Sequence, residues 1–330
     1  MEYFLNFLSV PKNSSRYARD GLYASHLLTM CDHRSDTTRG SGKVRIVVLD
    51  TRSGRDQFVL PSIGGNTWIP FAAVIAAMFR WICAAFGIGS DYSGHMLGET
   101  QMQWLEAQLK ESLRREESAV VLVSSVQILT SNPIVESWGH FPQDQRMLLD
   151  LLHEYKNAGG AVVLMSGDVH YAEIAHVDGL LEITSSGLTH TCLTLPLVRF
   201  FCPWMLGAFD GHRHPDVVID SSKDEGSSSS AYAGLNFGVL HFSPDHIRAS
   251  IRGVDGYEKL VAFETLSKSA TGTSSSERIA GTTTIHTTAT LFRLVQFLFL
   301  AACVAGGVIA ALVAVFRRIR MQTQKGPKRL

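Results

Sequence analysis

The sequence predicts an α/β domain built in layers, because strand patterns and helix patterns alternate through the middle of the chain. Apolar, β-branched runs at residues 44–49, 120–123 and 161–165 indicate strands of a sheet that is covered on both faces. Residues 97–113 carry apolar side chains at helical spacing, and residues 147–155 indicate a second helix. This order is typical of helices packed on a sheet.

The composition limits the classes of protein to be considered. With 330 residues, 45% of them hydrophobic, the chain is long enough for one full domain and a membrane segment. Thirty Lys and Arg residues balance thirty Asp and Glu residues, so no basic surface argues for nucleic acid. The five cysteines lack CxxC spacing, and we expect buried or free thiols, with at most a bridge such as Cys192 to Cys202.

The strand at residues 161–165 is followed by Asp168 and His170, which are the strongest candidates for a functional site. A carboxylate and an imidazole two residues apart at a strand end can face one point, where a cation accepts oxygen and nitrogen ligands. The alternative is an aspartate that caps a turn beside a solvated histidine. The second predicted strand, which ends at residues 184–187, favours the metal site.

Several motifs occur around this site in a fixed order. They are SGDVHYAEI and EITSSGLTH, preceded by RDGLYAS, VVLDTRSGRD, MLGETQMQWLEAQL, VVLVSSVQIL and ESWGHFPQDQ, and followed by NFGVLHF. Together they resemble the alkaline phosphatase D-type (PhoD-like) metallophosphoesterase family, over residues 4–265 and only the C-terminal part of the family's pattern. The family's GD and WDDHD-like motifs, which supply the other half of the metal centre, are absent, so we expect Met1 to lie inside the domain.

The resemblance implies a metallophosphoesterase-like β-sandwich flanked by helices, present here as a partial domain. It implies that Asp168 and His170 are catalytic residues and ligands of divalent or trivalent metal ions, two of them, which activate water against a phosphate ester. Gln127, the third candidate catalytic residue, stands where the wider superfamily commonly carries a histidine ligand. Two alternatives are open for it: it orients a water or a phosphate oxygen, or it satisfies loop backbone.

Four further residues are candidates for contacts behind the ligands or with the substrate. Glu173 and His190 are expected to hold ligand imidazoles or the leaving oxygen, and Asn236 is a substrate contact by resemblance only. Arg52 follows a strand end beside Asp50, and a mutual ion pair that closes the loop is the favoured interpretation. A phosphate-facing Arg52 is the alternative.

The C-terminal region predicts a membrane anchor. Residues 266–290 are a Ser/Thr-rich stalk, residues 291–316 contain an apolar run long enough for a transmembrane helix, and residues 317–330 form a basic tail. The positive-inside rule predicts a cytosolic tail and a lumenal or extracellular domain at residues 1–265. Residues 68–89 are also apolar, but Arg80 in their middle favours an inserted helix or hairpin that is buried or lies at the membrane interface.

Two hypotheses for function follow. The first is a single-pass, membrane-anchored metal-dependent phosphoesterase (alkaline phosphatase D-like) that hydrolyses phosphate mono- or diesters, with the lipid bilayer as its other partner. The second is a catalytically inactive, membrane-tethered metallophosphatase-like binding module or a truncated gene product. His212 and His214, outside the matched motifs, are expected to be a solvated pair.

Overall fold

A computed structural model describes residues 2–30, 42–59, 79–84, 86–130, 132–194, 231–243 and 245–266, with isolated positions between 199 and 228. Its α-helices are α1 (Glu2–Phe7), α2 (Glu99–Arg114) and α3 (Pro142–Asn157). Residues 79–84 are also helical, and short 3-10 turns occur at Ser15–Tyr17 and Trp138–His140. Pro142 stands in the first turn of α3, where its missing N–H costs nothing.

Twelve strands among the described residues form two sheets. They are β1 (Ala24–Thr29), β2 (Lys43–Val48), β3 (Ala119–Val123), β4 (Val162–Ser166), β5 (Ala172–Val177), β6 (Leu180–Ser185), β7 (Val218–Ile219), β8 (Ser227–Ser228), β9 (Ala231–Tyr232), β10 (Asn236–Phe242), β11 (His246–Gly253) and β12 (Glu258–Thr265). The larger sheet has the order β1-β2-β3-β4-β6-β5-β9-β8, and the smaller has β10-β11-β12-β7. β2, β3, β4 and β6 are mutually parallel, so their carboxyl ends meet at one edge.

Alternating side chains of the larger sheet build two apolar cores. On β4, Val162 and Leu164 face α2 and α3, while Val163 faces the smaller sheet. The helices contribute Leu105 and Leu148 at helical spacing to the first core. The smaller sheet covers the opposite face with apolar side chains of β11 and β12. The domain therefore has the predicted layered α/β form, with a large sheet and flanking helices.

Most predicted elements of the central region are confirmed. β2, β3, β4 and α2 match the predicted residues within two positions, and the predicted hairpin at residues 238–251 is β10 and β11. α3 begins five residues earlier than predicted, at Pro142. The sequence did not predict β1 or β12, which lie at the edge and in the middle of their sheets.

Several membrane predictions fall outside what the structure describes. The stalk, the apolar run at 291–316, the basic tail, His212 and His214 all lie outside the described residues. Within the described ranges, no helix is long and apolar enough to cross a bilayer. In the segment 68–89, Arg80 and Trp81 are buried, and Arg80 donates to the Ile134 carbonyl at 3.3 Å.

A buried ion pair ties β2 to the start of β3. Arg45 Nε donates to Glu117 Oε2 at 2.7 Å, and Nη2 reaches Glu117 Oε1 at 2.5 Å. Arg45 Nη1 also donates to Ser25 and Gln108, so the guanidinium links β1, β2 and α2. The Glu117 side chain is fully buried. Removing either partner would therefore leave a buried charge without its counter-charge, which lowers stability.

Replacing Glu117 by Gln should therefore lower the free energy of unfolding by about 3–5 kcal/mol, because it leaves a buried guanidinium uncompensated. Glu111→Gln is the matched control, since Glu111 also pairs with arginines, Arg114 and Arg115, on the exposed face of α2. The control should change stability by less than about 1 kcal/mol. Urea unfolding measures both, and equal losses would contradict the assignment.

Candidate active site

The candidate site lies in the loop that leaves β4 at the carboxyl edge of the larger sheet. Asp168 and His170 have positive φ angles of 77° and 60°, a left-handed conformation that is uncommon outside glycine. The loop holds this conformation because two of its apolar side chains are buried: Val169, between Asp168 and His170, and Tyr171, directly after His170. The His170 carbonyl also accepts the Cys192 N–H at 3.1 Å. Such backbone strain persists only where surrounding contacts impose it, and it is frequent at functional sites.

Asp168 lies beside arginine and glutamate side chains from two other loops. Arg52 Nη2 is 3.5 Å from Asp168 Oδ1, and Arg52 Nη1 is 3.3 Å from Glu136 Oε2. Partial burial raises the pKa of the Asp168 carboxyl above its ordinary value, with Glu136 adding to the rise and Arg52 opposing it. Asp168 is thus a partly buried carboxylate that lies near both the Arg52 guanidinium and the Glu136 carboxylate.

The predicted ion pair between Asp50 and Arg52 is wrong. Asp50 accepts the backbone N–H groups of Leu22, Arg52 and Ser53 at 2.7 to 3.0 Å, and these hydrogen bonds lower its pKa despite its burial. The Asp50 carboxylate is therefore hydrogen-bonded by backbone N–H groups and not by the Arg52 guanidinium. The Arg52 guanidinium is left to extend toward Asp168 and Glu136, with a side chain that is 51% exposed.

Histidines lie together on the exposed side of the loop. The rings of His170 and His190 have centroids 4.2 Å apart. His190 is exposed, and its Nδ1 is 2.9 Å from the hydroxyl of Thr189. The structure thus brings Asp168, His170, His190 and Arg52 to one edge of the sheet.

Gln127 is buried beneath this edge, and neither alternative considered for it describes its contacts. Its Nε2 donates to Glu173 Oε1 at 2.5 Å and to Thr184 Oγ1 at 3.0 Å. Gln127, Glu173 and Thr184 are all buried, so these contacts lie inside the domain. The amide satisfies buried side chains and fastens the loop after β3 to β5 and β6.

A second buried carboxylate, Glu182 on β6, holds the same loop by its backbone. Its oxygens accept the N–H groups of Ile128 and Leu129 at 2.8 and 2.6 Å. Burial raises the pKa of Glu182, while these hydrogen bonds lower it and the nearby Glu173 raises it further. No sequence pattern distinguished Glu182 from an ordinary strand residue.

Asn236 at the start of β10 is buried and engaged by protein atoms. Its Oδ1 accepts the Ser185 hydroxyl at 3.0 Å, and its Nδ2 donates to the Gly234 carbonyl at 2.8 Å. Gly187 packs against it so closely that a Cβ there would lie 2.1 Å from Asn236 Nδ2. Asn236 therefore fixes the end of β6, and a direct contact with substrate stays a prediction.

Two of the five cysteines are paired. Cys192 and Cys202 form a disulfide, which is the one bridge that the sequence allowed, although buried or free thiols were the favoured expectation. The bridge lies in an apolar cluster with Val169, Tyr171 and Leu206, directly under the Asp168 loop. It therefore supports the segment that carries His190.

The donor set fits a metal ion in part. Asp168 and His170 supply one oxygen and one nitrogen ligand, which suits borderline and hard cations. In the described part of the chain, no three His, Cys, Asp or Glu side chains converge as candidate ligands. A cation at Asp168 and His170 would require further ligands from elsewhere.

Sequence reasoning missed two residues of this edge, Arg55 and Glu136. Arg55 Nη1 is 3.7 Å from Glu136 Oε2, the same oxygen that faces Arg52. Both residues stand in motifs that carry the family resemblance, RSGRD and ESWGHF. Those motifs were the available signal, but nothing in their spacing indicated that they meet.

Comparisons with known proteins agree with the resemblance. Residues 38–193 match the sequence model of the PhoD-like phosphatase family, which confirms the predicted resemblance over that segment. No curated protein sequence matches the chain. A solved structure of PhoD aligns at 15% identity with a TM-score of 0.39, over 68% of this chain and 40% of that one.

A second solved structure is described as GAP50, the anchor in the inner membrane complex of Plasmodium. It aligns at 11% identity with a TM-score of 0.43, over 76% of this chain and 56% of that chain. This chain therefore spans less than two thirds of the length of either solved protein.

The raised pKa of Glu182 predicts a pH-dependent stability. A carboxyl whose pKa is higher in the folded state stabilises the fold below its unfolded pKa, and this contribution is lost as the pH rises through the folded pKa. Wild type should therefore lose stability relative to Glu182→Gln as the pH rises above about 4.5.

Urea unfolding at a series of pH values from 4 to 8 measures this difference. Glu258→Gln serves as the control, because arginine contacts lower the pKa of Glu258 to about 2 and its contribution is lost only toward that pH. Parallel curves for wild type and Glu182→Gln would show that Glu182 does not titrate in this way.

Removing the disulfide should destabilise the site. A Cys192→Ala, Cys202→Ala double variant should lose about 2.5 kcal/mol, as expected for opening a loop of sequence separation 10. Cys83→Ala, at a free and partly exposed thiol, is the control and should lose less. Thermal unfolding with and without reductant gives the comparison, and a wild type insensitive to reductant would argue against the bridge.

Proposed function

We propose that residues 1–265 are part of a metallophosphoesterase-like domain that hydrolyses phosphate esters in a metal-dependent reaction. One observation carries the proposal: a strained loop at the carboxyl end of β4 presents Asp168 and His170 next to Arg52. That loop lies inside the segment that matches the PhoD-like phosphatase family.

Different side chains of the site would bind the metal, bind the phosphate and position these groups. Asp168 and His170 would hold divalent or trivalent cations, which when bound supply Lewis-acid activation of water and charge neutralisation. Arg52, half exposed, has donors directed at the same edge and suits a phosphoryl oxygen. His190, within ring contact of His170, would keep that imidazole oriented or face the leaving oxygen. Gln127 and Glu173 keep the neighbouring loop in place from within the core.

We further propose that the chain is anchored in a membrane by residues 291–316, with the domain lumenal or extracellular and the tail cytosolic. The apolar run and the basic residues after it support this topology. The disulfide between Cys192 and Cys202 supports an oxidising compartment for the domain.

A second candidate function is a membrane-tethered binding module without catalysis. The contact between Arg52 and Asp168 favours it, because the guanidinium supplies a counter-charge where a cation would bind. In that case Arg52 would be a fixed partner of Asp168 and no metal would displace it. The two candidates differ in their response to metal ions.

Asp168→Asn and His170→Ala should abolish metal-dependent phosphoesterase turnover, because each removes a ligand. Both should also lose the rise in melting temperature that Mn²⁺, Ca²⁺ or Fe³⁺ gives wild type, since a bound ligand stabilises the fold by mass action. The measurements are hydrolysis of an aryl phosphate and thermal unfolding, each with and without the cation.

Asp178→Asn is the matched control, because Asp178 is an exposed aspartate that also has a positive φ, 49°, in the turn between β5 and β6. It should keep both turnover and the metal response. Equal responses of wild type, Asp168→Asn and His170→Ala to every cation would refute metal binding at these residues and favour the binding module.

A further inference from the structure

An arginine cluster lies beside Asp168 with more positive charge than its carboxylates balance. Arg52 and Arg55 both approach Glu136 Oε2, at 3.3 and 3.7 Å. Arg80 also belongs to this cluster, because its guanidinium lies over the same Phe58 ring as that of Arg55. Among the described residues, three guanidiniums thus lie near two carboxylates, those of Glu136 and Asp168, and two of the three contact Glu136.

The cluster is held in place from behind by an aromatic ring. The Arg55 guanidinium lies 4.5 Å from the centroid of Phe58, and that of Arg80 lies 5.3 Å from the same centroid. Phe58 in turn packs edge-on against His140, whose pKa is lowered by burial. A neutral His140 leaves the arginines as the positive groups of the cluster.

The donors of the cluster exceed the acceptors that the protein provides. Arg80 is only 8% exposed, and its buried Nη2 has no hydrogen-bond partner among the described residues. Arg52, at 51% exposure, points its free side to solvent beside Asp168, whereas Arg55 is 20% exposed. The exposed Arg52 therefore has donors available for an anion, because a guanidinium binds carboxylate or phosphate oxygens through several N–H groups.

We propose that Glu136 is a positioning residue that directs Arg52, supported by Arg55, at the phosphate group of the substrate, and that this cluster selects a dianionic phosphate monoester. The proposal rests on the phosphoesterase function above and deepens it. A monoester phosphate carries close to two negative charges at neutral pH, whereas a diester carries one. Two arginines at one edge therefore gain more from the monoester.

The first test is binding of inorganic phosphate to the full chain by calorimetry, with a chelator present so that no cation takes part. Arg52→Gln should weaken binding by about 10-fold or more, the loss of a charge-assisted contact. Glu136→Asp keeps the charge but shortens the side chain, so it should weaken binding by about 3- to 10-fold through lost positioning.

Glu258→Asp is the matched control. Glu258 bridges Arg248 and Arg252 on the smaller sheet, and its side chain is 29% exposed against 23% for Glu136. It should leave phosphate affinity unchanged. If Glu136 acted only as a counter-charge, Glu136→Asp would bind phosphate like wild type and Glu136→Gln would bind it more tightly. That result, or absence of phosphate binding in wild type, would overturn the proposal.

The second test is kinetic and uses p-nitrophenyl phosphate and bis-p-nitrophenyl phosphate with Mn²⁺. Glu136→Asp should raise KM for the monoester with a smaller change in kcat, and should change the diester less. Turnover by wild type with no effect of Glu136→Asp on either constant would contradict the inference and leave the proposed function standing. Phosphate binding that depends on Arg52 in a chain without turnover would leave the inference standing and contradict the proposed function.

Discussion

Two buried carboxylates, Glu173 and Glu182, determine how the carboxyl edge of the larger sheet is built. Glu173 accepts the Gln127 amide, and Glu182 accepts the backbone N–H groups of Ile128 and Leu129. Both lie on the face of the sheet that carries the helices, where their neighbours Ala175 and Leu180 belong to the apolar core. A carboxylate placed there is stable only when hydrogen bonds replace its lost hydration. The loop after β3 supplies those bonds and is thereby fixed beside the Asp168 loop.

Several features of this edge lower the free energy of unfolding. Asp168 and His170 hold left-handed backbone conformations, and burial raises the pKa of Asp168. Arg80 keeps a buried donor without a partner among the described residues. Each feature costs free energy that an ordinary loop avoids. The apolar cluster and the disulfide under the loop offset these costs.

The sequence predicted the parts of this structure that depend on local patterns. β4 follows from an apolar run, and Asp168 and His170 follow from their place directly after it. The contacts of Arg52 depended on tertiary structure, because the N–H groups of Leu22 and Ser53 take up Asp50 and leave the arginine to Glu136. The direction of Gln127 was likewise set by Glu173, which is 46 residues away in sequence. Long-range partners of this kind leave no periodic signal.

The central claim is that Asp168 and His170 bind a metal ion at the carboxyl end of β4. Anomalous diffraction from crystals of the full chain grown with Mn²⁺ tests it most directly, because the metal is located independently of any activity. We predict a Mn²⁺ peak about 2.0–2.3 Å from a carboxylate oxygen of Asp168 and from an imidazole nitrogen of His170. A peak elsewhere, or Arg52 still bonded to Asp168 with no metal beside it at saturating Mn²⁺, would contradict the claim.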